Sequence, residues 1–318
     1  MPFPTNVEEA LSTAVREACR DAGLETAELG DTPLFLALHN DPDAARAGSV
    51  PVLGSTSAAI TTTCGFGGLV RTYTNACVAS VSALIDAAEG ILRGRWTRAV
   101  VASAYLVTSD DFALFDAGGA LAVDGRVRSF SRDRTGVLLG DGASAVVLER
   151  PGARPASAPR ALLKGWAQSG DAHHLSRPDP TGHGMARAIN AAMIRAGAEP
   201  DSLDYVNAHG TGTVHNDSAE AAALHRALGP HAATSVPLSS TKSLHGHALV
   251  AAGLLELAIT ILSLENGLLP VNSGYVGPDA ECELNLILEP RSAPHATRAL
   301  SLNAAFGGAN TALVIGKP

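Results

Sequence analysis

Apolar residues recur along this chain at two periods, and the period changes several times. Val7, Leu11, Ala14, Val15, Ala18, Cys19 and Ala22 follow helical spacing and Gly23 stops the run. Thr5 and Glu8 fit a Ser/Thr-x-x-Glu capping box at its start. Residues 34–38 form a short apolar run that predicts a buried strand. Residues 46–66 are rich in Gly, Ser, Thr and Ala with weak periodicity, and no element is assigned there. Residues 70–76 predict a strand entering Cys77, followed by a helix over about 78–92. The small and apolar positions of that helix, Ala79, Ala83, Leu84, Ala87, Ala88 and Ile91, leave few polar places, so most of its surface is expected to be buried. Residues 98–107 are continuously apolar, as a parallel strand covered on both faces requires. Residues 144–148 predict another strand, and the Pro/Ala-rich stretch 151–159 a linker.

Beyond the linker, strands are predicted at 160–166, 203–207, 236–239, 284–288, 299–302 and 311–316. Helices are predicted at 184–196, 217–228 and 248–266. Strands alternating with buried helices indicate an α/β protein. Each half carries a reactive residue where a strand meets a helix, which hints at an internal duplication without a short repeat.

Charge and composition remove several classes. Lys plus Arg number 23 against 31 Asp plus Glu, a net charge of −8, and only 4% of the 318 residues are aromatic. Neither fits a nucleic-acid binder. Four scattered cysteines, Cys19, Cys64, Cys77 and Cys282, suit no disulfide framework or zinc knuckle. The opening MPFPTN has no basic n-region and apolar core, so no secretory signal is read. The apolar run 248–264 contains Glu256 and reads as too short and too polar to span a membrane. A cytoplasmic, soluble protein is expected.

Cys77 falls at the end of a strand and the start of an apolar helix, where unpaired N–H groups and the helix dipole favour a thiolate. The other three cysteines read as buried structural thiols. His209 lies in Asn207-Ala208-His209-Gly210-Thr211-Gly212-Thr213, just after a strand, and His247 lies just before a helix. Glycines beside each imidazole permit close approach. His39, His215, His225, His231 and His295 read as ordinary loop histidines. His245-x-His247 and His173-His174 lack companion ligands at metal spacing, so no metal is expected. Residues 305–310, Ala-Phe-Gly-Gly-Ala-Asn, resemble a phosphate loop without its Lys-Ser/Thr. A turn presenting N–H groups to an oxyanion fits equally well.

Together these segments resemble the β-ketoacyl-acyl-carrier-protein synthases, in particular the elongating type II condensing enzymes and the polyketide ketosynthases. Asn75-Ala76-Cys77-Val78-Ala79-Ser80 is similar to the family's Thr-Ala-Cys-Ala-Ser-Ser. Asn-Ala-His-Gly-Thr is complete at 207–211, with Asn216-Asp217 following. Residues 239–253 resemble Ser-Ser-Thr-Lys-Ser-x-x-Gly-His…Ala-Ala-Gly, and residues 171–180 resemble Asp-Ala-Tyr-His…Pro-Asp-Pro. Phe306-Gly307-Gly308-x-Asn310 is similar to the C-terminal loop.

The resemblance implies a thiolase-like α/β fold, two fused halves with five-stranded sheets and buried central helices in αβαβα layers. The first half, 1–155, would carry Cys77, and the second, 156–318, His209 and His247. It implies that Cys77 accepts an acyl chain from a pantetheine thioester. His209 and His247 would hold the malonyl carbonyl, and decarboxylative Claisen condensation would follow, in fatty-acid or polyketide biosynthesis. Cys77 and Phe306 N–H groups would form the oxyanion hole, and Phe306 would gate it. Thr211, Thr213, Gly307 and Gly308 would contact substrate, and Lys242 would pair with Glu256, catalytically or as a plain salt bridge. No cofactor is implied beyond phosphopantetheine on an acyl carrier protein. The partners implied are that carrier and a homodimer mate or a second ketosynthase-like chain.

Several positions depart from the family pattern. About 76 residues precede Cys77, fewer than usual, the family's Gly-rich first strand is not seen, and residues 40–66 look shortened. Asn75, Val78, His245, Ser131, Thr135, Asp141 and Ala304 replace customary residues, while Cys77, His209 and His247 are all retained. Two alternatives therefore stand beside condensation. One is an acyltransferase or cyclising enzyme passing acyl-Cys77 to an O or N nucleophile, and the other a subunit completed by another ketosynthase-like chain. Arg93, Arg95 and Arg98 form a candidate docking patch for an acidic carrier.

Overall fold

The computed structural model describes residue 4 and residues 6–39, 53–154 and 158–318. The chain divides into two compact units that interleave along the sequence. The first comprises Met1–Asp110, Asp141–Ala158 and Ala248–Leu255. The second comprises Asp111–Gly140, Pro159–His247 and Glu256–Pro318.

In the first unit, helix α1 (Val7–Asp21) opens the described chain. Its cap is Asn6, whose side chain accepts the Glu9 N–H at 2.8 Å. The cap is therefore one residue later than the expected box, and Thr5 lies outside the described residues. Glu8 and Glu9 in the first turn and Arg20 in the last both complement the helix dipole. Leu11, Val15 and Cys19 point into a core shared with strand β1 (Leu34–Ala37). The unassigned segment contains helix α2 (Leu53–Cys64), and residues 46–52 of it lie outside the described residues. Strand β2 (Val70–Tyr73) is shorter than expected, and a single 3-10 turn (Ala76–Val78) precedes helix α3 (Ala79–Leu92).

Strand β3 (Arg98–Tyr105) is buried along almost its whole length, as its apolar run demanded. Helix α4 (Ser109–Ala117), which periodicity did not show, follows it, and strand β4 (Gly142–Glu149) ends the sheet. The order is β2-β1-β3-β4, with β1 parallel to β2 and β3, and β3 antiparallel to β4. This sheet has four strands among the described residues, where five were expected. Among the described residues, no strand pairs with the outer edge of β4.

The second unit holds strand β5 (Leu162–Gly170), helix α5 (His183–Ala196) and strand β6 (Tyr205–Asn207). Helix α6 (Val214–Ser235) runs further than predicted, across a kink at Gly229-Pro230. Strand β7 (Leu238–Ser239), the one-turn helix α7 (Lys242–His245) and helix α8 (Ala252–Asn266) follow. The short pair β8 (Leu268–Leu269) and β9 (Arg291–Ser292), then β10 (Arg298–Ala305) and β11 (Ala309–Gly316), complete it. The five-stranded sheet runs β5-β11-β10-β6-β7. The strand expected at 284–288 is not one: that segment makes a single bridge, Leu286 to Leu238, on a chain held by scattered backbone bonds.

Strands β7, β6, β10 and β11 repeat the order and sense of β2, β1, β3 and β4. The duplication hinted at by the sequence is thus present in topology. Strand β5, antiparallel on the outer edge of β11, has no counterpart beside β4 among the described residues.

Residues Leu249–Asn266 are, by length and composition alone, long and apolar enough to cross a bilayer, where the sequence reads 248–264 as too short and too polar. Its burial and the ion pair of Glu256 mark it instead as a core helix.

Candidate active site

Cys77, in the first unit, is buried within the 3-10 turn rather than directly at the helix start. Ala76 before it adopts φ +52°, a left-handed conformation that costs an alanine on the order of 1 kcal/mol and turns the chain sharply. Val78 caps α3 without a side-chain bond, so the first helical N–H groups keep their partial positive charge close to the thiol. Asn75, which replaces a customary Thr, donates from Nδ2 to Ser82 Oγ at 2.8 Å and ties the turn to α3. The four cysteines form no disulfide. Burial pushes the Cys19 thiol up to about 11 and that of Cys282 to about 12, as suits structural thiols.

The second unit brings the two histidines together. Their ring centroids lie 5.3 Å apart and their planes meet at 85°. Both are almost fully buried. Burial first, then the charge of Lys242, holds both imidazoles well below their ordinary range, so both are neutral at physiological pH. His209 follows β6, where Glu220 of α6 accepts the N–H groups of His209 and Gly210, each at 2.7 Å. Asp217, one turn earlier, accepts from Phe130 N at 2.7 Å and Gly212 N at 3.2 Å. Desolvation raises Asp217 to about 6 and Glu220 to about 7. His247 is fixed through its backbone, donating to Leu138 O at 2.7 Å and accepting from Gly140 N at 3.1 Å.

Lys242 pairs with Glu256, both fully buried, and Asn303 Nδ2 reaches the other carboxylate oxygen at 2.6 Å. Asn207 Oδ1, Ser301 Oγ and Asn303 Oδ1 are buried without a hydrogen-bond partner, and Asn207 and Asn303 both bond to Glu256 through Nδ2. Among the described residues no group of three His, Cys, Asp or Glu could hold a metal.

Thr211 and Thr213 share a hydroxyl contact of 2.9 Å. Phe306 is largely exposed and stacks on Phe115 at 6.0 Å. It opens the β10–β11 turn, where Gly307 and Gly308 take φ +85° and +75°. That turn is held by Gly307 N to Leu175 O at 2.7 Å and Asp171 N to Gly308 O at 2.8 Å. The proposed docking arginines do not form one free patch. Arg98 is occupied by Glu149 at 2.6 Å and Glu28 at 3.3 Å, and Arg93, though exposed like Arg95, pairs with Glu89 at 3.4 Å.

Sequence reasoning missed Glu220, Ser129, Ser240, Asn272 and Asn303. A signal existed for the acids: Asp217 and Glu220 stand three apart among alanines, on the buried face of the helix after the histidine motif.

The two sheets define a thiolase-like α/β protein with a cysteine at one strand–helix junction and paired neutral imidazoles at another. Comparison with known sequences agrees. "Beta-ketoacyl synthase, N-terminal domain" matches residues 7–152, and "Beta-ketoacyl synthase, C-terminal domain" residues 160–275. The chain belongs to the beta-ketoacyl synthase family. It is 40% identical over 193 residues to the tetracenomycin polyketide synthase ketoacyl synthase alpha subunit of Streptomyces glaucescens, covering 60% of this chain and 45% of that one. It is 34% identical over 287 residues to a putative polyketide beta-ketoacyl synthase 1 of Streptomyces halstedii, covering 87% and 67%. The chain thus spans from about half to two thirds of these relatives. The ishigamide ketosynthase/chain length factor superposes with a TM-score of 0.89 at 28% identity, covering 98% of this chain and 82% of that one.

Proposed function

We propose that this protein is a condensing enzyme of polyketide or fatty-acid biosynthesis that works on carrier-protein thioesters in the cytoplasm. The observation that carries it is the buried pair of neutral imidazoles 5.3 Å apart. Two uncharged N–H donors in a dry site suit an enolate oxygen, because they stabilise developing charge without a proton of low pKa to lose.

In the first step the Cys77 thiolate attacks an acyl-pantetheine carbonyl, the carbonyl–sulfur bond breaks and pantetheine leaves as its thiolate. His209 and His247 then hold the carbonyl oxygen of a malonyl thioester while the C–C bond to its carboxylate breaks and CO₂ departs. The resulting enolate carbon attacks the acyl-Cys77 carbonyl, the new C–C bond forms and the Cys77 thiolate is released. Cys77 and Phe306 N–H groups receive the tetrahedral oxyanion. Thr211, Thr213, Gly307 and Gly308 line the pantetheine path, and Lys242 with Glu256 sets the local field. The nucleophile falls in sequence half 1–155 and the imidazoles in 156–318. Phosphopantetheine on an acyl carrier protein brings both substrates.

Intact-mass analysis after incubation with acyl thioesters tests the reading, wild type beside Cys77→Ala, with CO₂ release from malonyl-carrier protein followed in parallel. Acylation of wild type alone, followed by malonyl-dependent condensation, is expected. Loading without CO₂ release would instead favour transfer to an O or N nucleophile.

A second reading is favoured by the likeness to a ketosynthase/chain length factor: a subunit that functions beside a second ketosynthase-like chain. An active homo-oligomer made from this chain alone would exclude it.

A further inference from the structure

The backbone of His209 and Gly210 is gripped from both sides. Glu220 takes the N–H groups of His209 and Gly210. On the other side, two buried hydroxyls converge on one oxygen: Ser129 Oγ donates to Gly210 O at 2.6 Å and Ser240 Oγ donates to the same atom at 2.7 Å. Those serines come from segments more than a hundred residues apart, and one side chain sets their spacing. Asn272 accepts the Ser240 N–H on Oδ1 at 3.0 Å and donates from Nδ2 to Ser129 O at 2.9 Å. Its own N–H goes to Ile287 O at 2.7 Å. Ser129, Ser240 and Asn272 are all at most 1% exposed.

The grip is also steric. Gly210 has φ +35°, and a Cβ there would stand 2.5 Å from Ser240 Cβ and 2.7 Å from the Phe130 ring. A carbonyl that fills both lone pairs with hydroxyl donors, on a residue that cannot shift outward, has one allowed orientation. The imidazole one residue earlier inherits it.

We propose that Ser129 and Ser240, spaced by Asn272, are positioning residues that aim the His209 imidazole for the decarboxylation step. This rests on the condensing-enzyme reading above. Donors that must meet a developing oxyanion within a fraction of an ångström need a rigid supporting shell, and a one-point tether would let the ring swing. Two donors on one acceptor also make the device redundant. Removing either leaves Gly210 O satisfied, whereas removing both leaves a buried carbonyl unpaired.

The test uses Ser129→Ala, Ser240→Ala and the double variant of the full chain, with melting and circular dichroism to check folding. Three quantities are read: CO₂ release from a malonyl thioester, single-turnover loading of Cys77 from a small acyl thioester, and amide hydrogen exchange of the peptide spanning 208–213. The expected result is that each single variant slows CO₂ release by no more than about fivefold and the double by fiftyfold or more. Loading of Cys77 should stay within twofold throughout. Exchange at 208–213 should accelerate at least tenfold in the double variant, with the β10–β11 peptides unchanged.

Equal loss of loading and CO₂ release overturns the proposal, since a merely structural role would move both. So does a double variant within fivefold of wild type, or unchanged exchange at 208–213. If wild type itself releases no CO₂, the condensing reading fails while the exchange measurement still decides whether the clamp exists. Should the double variant not fold, single variants that slow CO₂ release more than fivefold overturn the redundancy, and singles within that limit whose 208–213 exchange rises selectively support it.

Discussion

Replacing Lys242 by Met isolates the energetics of the charged centre beneath the histidines. The ammonium is fully buried and bonds to Glu256, which is also fully buried. Without it, Glu256 retains Asn303 Nδ2 at 2.6 Å as its side-chain donor. Breaking a buried pair from one side costs about 3–5 kcal/mol, because a desolvated carboxylate is left facing apolar packing. Burial already raises Glu256 and Lys242 is the main influence holding it down, so the variant relieves part of that cost by keeping the carboxyl protonated. For a chain of this size the melting temperature should fall on the order of 5–10 °C. Adding Glu256→Gln removes the orphaned charge and keeps an acceptor for Asn303, so the double variant should recover most of the loss. Thermal melts at pH 7.5 of wild type, single and double variants read this directly. The pair also touches chemistry: Lys242 is second only to burial in lowering both imidazoles, so its loss should move the acid limb of CO₂ release to higher pH. A single variant melting within 1 °C of wild type, or a double variant less stable than the single, would refute the argument.

Three further outcomes are expected. Burial pushes the Glu220 carboxyl up from an ordinary 4.5 to about 7, so between those values the folded state holds a proton that the unfolded chain has lost. Its contribution is therefore present below pH 4.5 and lost as pH rises through 7, about 3 kcal/mol in all. Melting of wild type should fall relative to Glu220→Gln between pH 5 and 7.5, and a pH-independent difference would contradict this. Gly210→Ala forces a methyl to within 2.5 Å of Ser240 Cβ at φ +35°. It should lower stability by about 1–3 kcal/mol, seen in melting, and abolish CO₂ release. Reversing the charge of Arg93 and Arg95 should slow acyl transfer from a carrier protein but spare a small thioester. Reversing Arg98 should instead lower the melting temperature, because it loses Glu149 and Glu28.

Much of this was legible because burial leaves a signature in one dimension. The unbroken apolar run of β3 and the alanine-rich face of α3 could only belong inside, and both are there. Cys77 stood out because it falls between a predicted strand and an apolar helix, and His209 and His247 because glycines lie beside them at the ends of predicted elements. Helix α4 was invisible since Phe112 and Leu114 face outward, which erases the amphipathic period. Residues 284–288 deceived for the opposite reason: their apolar alternation is real, but it serves one bridge and a set of isolated backbone bonds instead of a ladder. The serine clamp on Gly210 was illegible because Ser129, Ser240 and Asn272 are distant in sequence, and a single Ser or Asn carries no period.

The duplicated topology explains why chemistry gathers where it does. In each sheet the inner strand and its parallel outer neighbour end on the same side, β1 beside β2 and β6 beside β7. Carboxyl ends of parallel strands are where open α/β sheets present their loops to ligands. Cys77 follows β2, His209 follows β6, and the segment carrying Lys242 and His247 follows β7. The position after β1 also holds a histidine, His39, set edge-on to Tyr105 at 5.8 Å. In the proposed reaction one copy of the scaffold supplies the nucleophile and the other the electrophilic donors. What differentiates them is local: a 3-10 turn with an uncapped helix start suits a thiolate, whereas two buried acids and a doubly bonded carbonyl suit an imidazole that must stay neutral and still.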